Sequence, residues 1–338
     1  MNAWTCIILF FIVLFSYIHI QRQWKFEDEA IIYEYDYTSL KNLQTTCEYK
    51  QPIIFQLDVP KVAITLNTMH IRDTREIARD ESAIQTISLT YDNAMNLILT
   101  DTNSAFYTCQ NNNSIIQHHQ YNLWFKSLER ILKPSFTVYT EYDLLYGSRK
   151  TKTVSQFHHE SHTFLFLPKE TNKTYIRLKM MSAKYSKILD PKFDYINYEF
   201  NSKVNLFELD HMANHMIDIL VKPGNCVFIP AYWYYSIEFQ DKNNEICVLK
   251  FTTAANVLAH IKHHCLYYLQ QSNVQEKWWK PIQNIDLDLL QSEAENENQD
   301  EQINISKIEK EANPQKSETK LEEKVVDDLI EQLTLQNE

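Results

Sequence analysis

Hydrophobic positions along this chain fall into three regimes, and the first is a continuous apolar run. From Ala3 to Ile20 (AWTCIILFFIVLFSYIHI) only Thr5, Ser16 and His19 interrupt it. As a helix rising about 1.5 Å per residue, the run reaches roughly 27 Å, close to the hydrocarbon thickness of a bilayer. Trp4 and Tyr17 near its ends, and Trp24 just beyond, suit the headgroup level. A cleaved signal peptide would carry a basic n-region and small residues at its cleavage site. No Lys or Arg precedes this run, and Ile18-His19-Ile20-Gln21 offers no such site. Residues 1–24 therefore read as a retained, single-pass transmembrane anchor. Arg22 and Lys25 directly follow the span, so the tendency of basic flanks to stay inside favours a cytosolic body. A lumenal body is the alternative, because Glu27, Asp28 and Glu29 do not reinforce that charge.

The second regime, residues 25–290, changes period repeatedly. Asp36 to Leu43 patterns as a short helix, Gln51 to Leu57 as a buried strand entered through Pro52, and Val62 to Leu66 and Ile84 to Leu89 as further strands. Asp92 to Leu99 and Tyr121 to Leu132 are helical, the latter placing Leu123, Leu128, Ile131 and Leu132 on one face. Thr163 to Leu167 and Thr174 to Met180 predict a hairpin joined across Asn172-Lys173. Its second strand alternates Tyr175, Arg177 and Lys179 against Ile176, Leu178 and Met180, as a half-buried sheet requires. Met216 to Leu220, Cys226 to Ile229, Tyr234 to Phe239 and Ile246 to Phe251 add four short strands, and Asn256 to Gln271 closes the body as a helix. The expected fold is mainly β with flanking helices: an antiparallel barrel or double-sheet jelly roll behind a transmembrane helix.

The third regime is polar. Residues 291–320 hold hardly any large apolar side chain and read as a disordered acidic linker, unable to bury enough surface to offset ordering. Residues 321–336 then place Leu321, Val325, Leu329, Ile330 and Leu333 on one face of an acidic amphipathic helix. That face fits either a groove on a protein partner or the body itself.

Charge and composition sharpen this picture. Ser292 to Glu338 carries fourteen acidic residues against five lysines, which is −9 of the total −11. The body is thus nearly neutral and lacks the basic face of a nucleic-acid binder. Only 2 glycines occur, where average usage would give roughly 24. Asn and Asp are expected to serve the turns instead, although AT-rich coding produces the same bias. The cysteines Cys6, Cys47, Cys109, Cys226, Cys247 and Cys265 include no C-x-x-C pair and are widely spaced, so they read as free thiols. Sequons at Asn112, Asn172 and Asn304 arise readily in an Asn-rich chain.

One segment carries a specific pattern: Val221 to Ile237, VKPGNCVFIPAYWYYSI. Gly224 after Pro223 supplies a tight turn, Pro230 ends the following strand, and Trp233 returns as a core-filling ring. The spacing Gly224, Pro230, Trp233 resembles the second signature segment of JmjC-like cupins of the asparaginyl-hydroxylase type. Leu132-Lys133-Pro134, Tyr142 to Ser148 (YDLLYGS) and Asp194 to Asn205 (DYINYEFNSKVN) resemble its other segments, so the likeness spans roughly residues 30–275 and implies a double-stranded β-helix, the cupin arrangement. It is most similar to a membrane-anchored branch of large DNA viruses, which implies a virion or host-cell membrane.

Active members of that family hold Fe(II) with two His and a carboxylate, leaving positions for 2-oxoglutarate and O₂. The resemblance puts the distal His two positions after Trp233, where this chain has Tyr235. A phenol with a pKa of about 10 is neutral at pH 7 and a poor ligand for Fe(II). The proximal pair falls in Ser155 to His162. One register gives His158 and Glu160, the other Gln156 and His158. The cosubstrate lysine would fall near Thr174, with Lys173, Arg177 or Lys179 as stand-ins. His260, His263, His264 and Cys265 form a second cluster without the glutamate of a zincin, since Ile261 follows His260, and read as solvated or partner-facing. No Walker loop, dinucleotide fingerprint or nucleophile elbow is present. The favoured expectation is a membrane-tethered, non-catalytic binding or scaffold domain without a cofactor. The alternative is a divergent Fe(II)/2-oxoglutarate-dependent hydroxylase.

Overall fold

The computed structural model describes residues 3–57, 68–74, 86–108, 119–169, 175–195, 198–242 and 244–277. The chain divides into two units, Met1–Gln271 and Ser272–Glu338. Of the second unit, only residues 272–277 are described. The expected strand Val62 to Leu66, Cys109, the sequons, the linker and the amphipathic helix 321–336 lie outside the described residues.

The apolar run forms α1 (Ala3–Trp24), which is long and apolar enough to cross a membrane, and none of its apolar window is buried by the body. Two short strands, β1 (Tyr33–Tyr35) and β2 (Ile53–Gln56), flank α2 (Leu40–Cys47). Then come β3 (Thr68–Asp73), β4 (Thr86–Thr90), α3 (Tyr91–Thr100), β5 (Phe106–Thr108) and α4 (His119–Leu132). A strand-rich stretch follows: β6 (Thr137–Leu145), β7 (Gln156–Phe157), β8 (His162–Phe166) and β9 (Ile176–Ser182). After α5 (Ser186–Leu189) lie β10 (Pro191–Asp194), β11 (Glu199–Ser202), β12 (Met216–Val221), β13 (Asn225–Pro230), β14 (Trp233–Phe239) and β15 (Ile246–Thr253). The helices α6 (Ala254–Ala259) and α7 (Ile261–Lys277) end the described chain.

The strands build a six-stranded sheet in the order β1-β2-β13-β8-β15-β6, a second in the order β10-β11-β7-β14-β9-β12, and a small sheet β4-β3-β5. All pairings are antiparallel except β1 with β2. Alternation decides which residues meet between the large sheets. Leu165, Val227 and Val248 of the first share one buried cluster with Met180, Trp233 and Tyr235 of the second. The opposite face of the first sheet, with Phe164, Phe228 and Phe251, is covered by α2, α3 and α4 through Leu43, Ile98 and Phe125. The opposite face of the second, with Phe157, Met181 and Tyr234, is covered by Leu189, Leu206 and Leu209. Each such ring or branched side chain contributes about 1.5–3 kcal/mol by leaving water, which is why the sheets need no disulfide. The described cysteines are free.

Several expectations are corrected. β8 and β9 are not a hairpin: β8 pairs with β13 and β15, while β9 pairs with β14 and β12. Both strands are largely buried, so each sits inside a different sheet, and the outer face of β9 that was expected to be wet is covered at Lys179 while the Arg177 side chain stays 41% exposed. The helix expected from Asp36 begins at Leu40, because Ser39 is extended and its hydroxyl accepts from the Asn42 amide. The closing helix is broken at His260, whose backbone leaves the helical region. Among the described non-glycine residues, left-handed backbone falls on Asp190, in line with the expected use of Asp, but otherwise on Lys50, Ser104, Phe136, Lys150, Tyr198 and Tyr232 and on no asparagine. Gly224 takes φ +84, and Gly147 packs so closely that a Cβ would lie 2.3 Å from the Phe239 ring.

Candidate functional site

A buried polar cluster lies between the two large sheets. It begins with β14, where alternation turns Trp233, Tyr235, Ile237 and Phe239 inward and Tyr234, Ser236 and Glu238 outward. Tyr235 is 0% exposed, and its partner in register on β7 is Gln156. The Gln156 amide donates to the Tyr235 hydroxyl at 3.0 Å, and that hydroxyl lies 2.5 Å from His158 Nε2. His158 Nδ1 in turn lies 3.6 Å from Glu160 Oε2. Burial holds the His158 pKa well below that of a free imidazole, and the charge of Lys250 adds to the effect. A neutral ring satisfies the chain best when Tyr235 donates to Nε2 and the Nδ1 proton faces Glu160.

The charged members come from the strands opposite. Lys250 on β15 and Glu141 on β6 are partners in register, 3.8 Å apart, with Lys250 only 8% exposed. By alternation Lys250 shares the inward face with Ile246 and Val248. Burial raises the Glu160 pKa, and Lys250 offsets part of that rise. Glu160 Oε2 has no hydrogen-bond partner. Lys179 and Arg177, the possible cosubstrate contacts, lie on the other face of β9: their cations sit over the Phe207 ring at 5.1 and 5.7 Å. Lys173 and Thr174 lie outside the described residues.

These residues do not fit an Fe(II) facial triad. His158 offers opposite ring edges to its two neighbours, Nε2 to Tyr235 and Nδ1 to Glu160, so no single point faces a His158 nitrogen, Glu160 and position 235 together. Among the described residues no group of three His, Cys, Asp or Glu is arranged to hold a metal ion. Gly224, Pro230 and Trp233 occupy structural places: a left-handed turn, the end of β13 opposite His162, and a fully buried ring.

Of the second cluster only His260 is buried, while His263 and His264 are half-buried and Cys265 is exposed. His260 is 2% exposed, its Nδ1 donating to the Asn256 carbonyl at 2.9 Å and its Nε2 accepting from the Tyr232 hydroxyl. Burial pushes its pKa down to about 4. His159 stacks between His260 and His263, with centroids 4.6 and 4.5 Å away, and His264 stacks on Tyr198 at 5.3 Å. Aromatic neighbours, invisible in the local spacing, bury His159 and His260 and partly cover His263 and His264.

A cavity of about 520 Å³ lies elsewhere, between α1 and the body. Its walls include Phe15, Ile20 and Arg22 of α1, Lys50, Phe136, and Leu258 of α6. Neither this cavity nor the Lys250–Glu141 pair was anticipated from the sequence. A lone lysine in the apolar run Ile246–Thr253 was the available signal for the pair. Comparison with known proteins finds no matching family model and no matching curated relative.

Proposed function

We propose that the chain is a membrane-tethered, cupin-like binding or scaffold module that does not carry out iron-dependent hydroxylation. In this reading α1 spans a membrane once, and Arg22 and Lys25 keep the body cytosolic. The eight strands β6–β9 and β12–β15 form a double-stranded β-helix. Support for that comes from their order, β13-β8-β15-β6 in one sheet and β7-β14-β9-β12 in the other, in which successive strands cross repeatedly between sheets.

The observation that carries the functional reading is the hydrogen bond between Tyr235 and His158 Nε2. It turns a position that a hydroxylase would give to a metal ligand into a structural contact, and it engages the ring nitrogen a metal would need. The test uses the purified full chain in detergent, with Fe(II) binding and 2-oxoglutarate-dependent succinate release measured together. Neither is expected. One equivalent of Fe(II) with succinate release would replace this proposal by a divergent hydroxylase. The tether is tested by alkaline carbonate, which should leave the chain in the membrane fraction.

A further inference from the structure

We propose that the cavity between α1 and the body binds one anionic phospholipid drawn from the membrane that α1 spans. The inference rests on the anchor reading and adds a ligand to it. The first observation is the cavity's wall. Phe15, Ser16, His19, Ile20, Arg22 and Gln23 of α1 line it, so the wall covers roughly 12 Å along the helix axis, from inside the hydrocarbon to the headgroups. A surface that meets α1 at Phe15 must itself lie below the headgroup level. The body's lining is mixed, but its large apolar side chains are open: Phe136 is 87% and Leu258 52% exposed.

The second observation is a gradient of chemistry along that wall. Phe15, Ile20, Phe136 and Leu258 suit acyl chains, whereas Arg22 and Lys50 line the same cavity at the foot of the helix. Lys50 Nζ donates to the Arg22 and Gln23 carbonyls at 2.8 and 2.9 Å, and Arg22 pairs with Glu48 at 2.7 Å. Two cations against one carboxylate leave the charged end of the cavity positive, and burial together with Arg22 brings the Lys50 pKa down to about 8. An anion beside Lys50 relieves that cost. Third, α1 is fixed to the body at this point. Trp24 Nε1 donates to the Ala259 carbonyl at 3.1 Å, which ties the foot of the helix to the body beside the cavity. Its volume falls in the ~300–1,000 Å³ range of small-ligand sites.

The full chain, purified in mild detergent, is titrated with dioctanoyl phosphatidylserine, dioctanoyl phosphatidylcholine and inorganic phosphate, and bound species are resolved by native mass spectrometry. Saturation at one phosphatidylserine per chain is expected, with phosphatidylcholine and phosphate at least about tenfold weaker. Lys50→Gln and Phe136→Asn should each weaken phosphatidylserine by about tenfold. Asn suits the φ of 59 at position 136, so Phe136→Asn is expected to unfold at the original temperature and separates loss of binding from loss of fold. Equal binding of the two lipids overturns the anionic specificity, and phosphate binding as tight as the lipid shows a soluble-anion site instead. A dimer that excludes lipid shows that a second copy fills the cavity. Carbonate extraction of the membranes from which each chain is purified separates the two readings. Membrane-retained chain that fails to bind lipid sinks only this inference, and carbonate-soluble chain sinks the anchor.

Discussion

Replacing Tyr235 by phenylalanine removes one oxygen and leaves the ring, so it isolates what the hydroxyl does. The aromatic packing against Met180 and Trp233 in the shared core is kept, and no cavity of ring size opens. Lost are the 3.0 Å bond from the Gln156 amide and the 2.5 Å bond to His158 Nε2. Both partners are buried, at 9% and 8% exposure, so one donor and one acceptor are orphaned away from water. Each such group costs about 1–3 kcal/mol, and the pair is expected to cost ~2–6 kcal/mol. At ~2–4 °C per kcal/mol for a body of this size, the midpoint of thermal unfolding should fall by at least about 4 °C and by up to roughly 24 °C. The assay is urea and thermal denaturation of the full chain in detergent, followed by tryptophan fluorescence, which Trp233 reports from the same core. A Tyr235→Phe chain as stable as the original would refute the reasoning. His158→Phe in that background should then cost much less than His158→Phe alone, since the two residues act as one network.

Other outcomes follow from the same packing. Tyr235→His should not bring succinate release in the coupled assay, because His158 would still present opposite ring edges to position 235 and Glu160. Gly147→Ala drives a methyl into the Phe239 ring and should cost ~1–3 kcal/mol by denaturation. Arg72→Met strands Glu199, its 2.5 Å partner, in a site where both side chains are nearly buried; a loss of about 3–5 kcal/mol is expected, partly regained by Glu199→Leu in addition. The His260 pKa of about 4 lies below the unfolded value, so its contribution is full above pH 6.5 and is lost as pH falls toward 4. Stability at pH 5 should drop by about 2 kcal/mol from this group, and His260→Asn should flatten the pH 7 to pH 5 difference by that amount.

Where strands carry apolar residues toward the core, their positions were legible. Cys226 to Ile229, Tyr234 to Phe239 and Ile246 to Phe251 each fall within an observed strand. The pairing was not, because β8 and β9 are adjacent in sequence yet belong to different sheets, and alternation alone cannot tell a hairpin from a crossing between layers. The Arg177/Lys179 face of β9 looked solvated for a related reason. The Lys179 ammonium lies over the Phe207 ring and 3.5 Å from Asp210 while its stem is covered, so Lys179 reaches 4% exposure without breaking the polar pattern.

The candidate site was half legible for the opposite reason. β6, the longest strand, went unread because its inward positions Glu141 and Asp143 are charged, so its pattern runs against the rule that polar residues mark the wet face. That inversion is itself informative. Burying Lys250, Glu160 and Asp143 between two sheets, with the half-exposed Glu141 beside them, costs desolvation that an apolar interior would avoid. Where the first sheet keeps Val248 and Leu165 inward, the same face switches within one or two residue steps to Lys250 and Thr163. A strand that alternates correctly and then changes the chemistry of its buried face marks the boundary between the packing core and the polar cluster. Here that boundary passes through Tyr235, whose ring belongs to the core and whose hydroxyl belongs to the cluster. Position 235 therefore couples the two, and a substitution there must be read in both stability and chemistry, because either alone would mistake a lost hydrogen bond for a lost ligand.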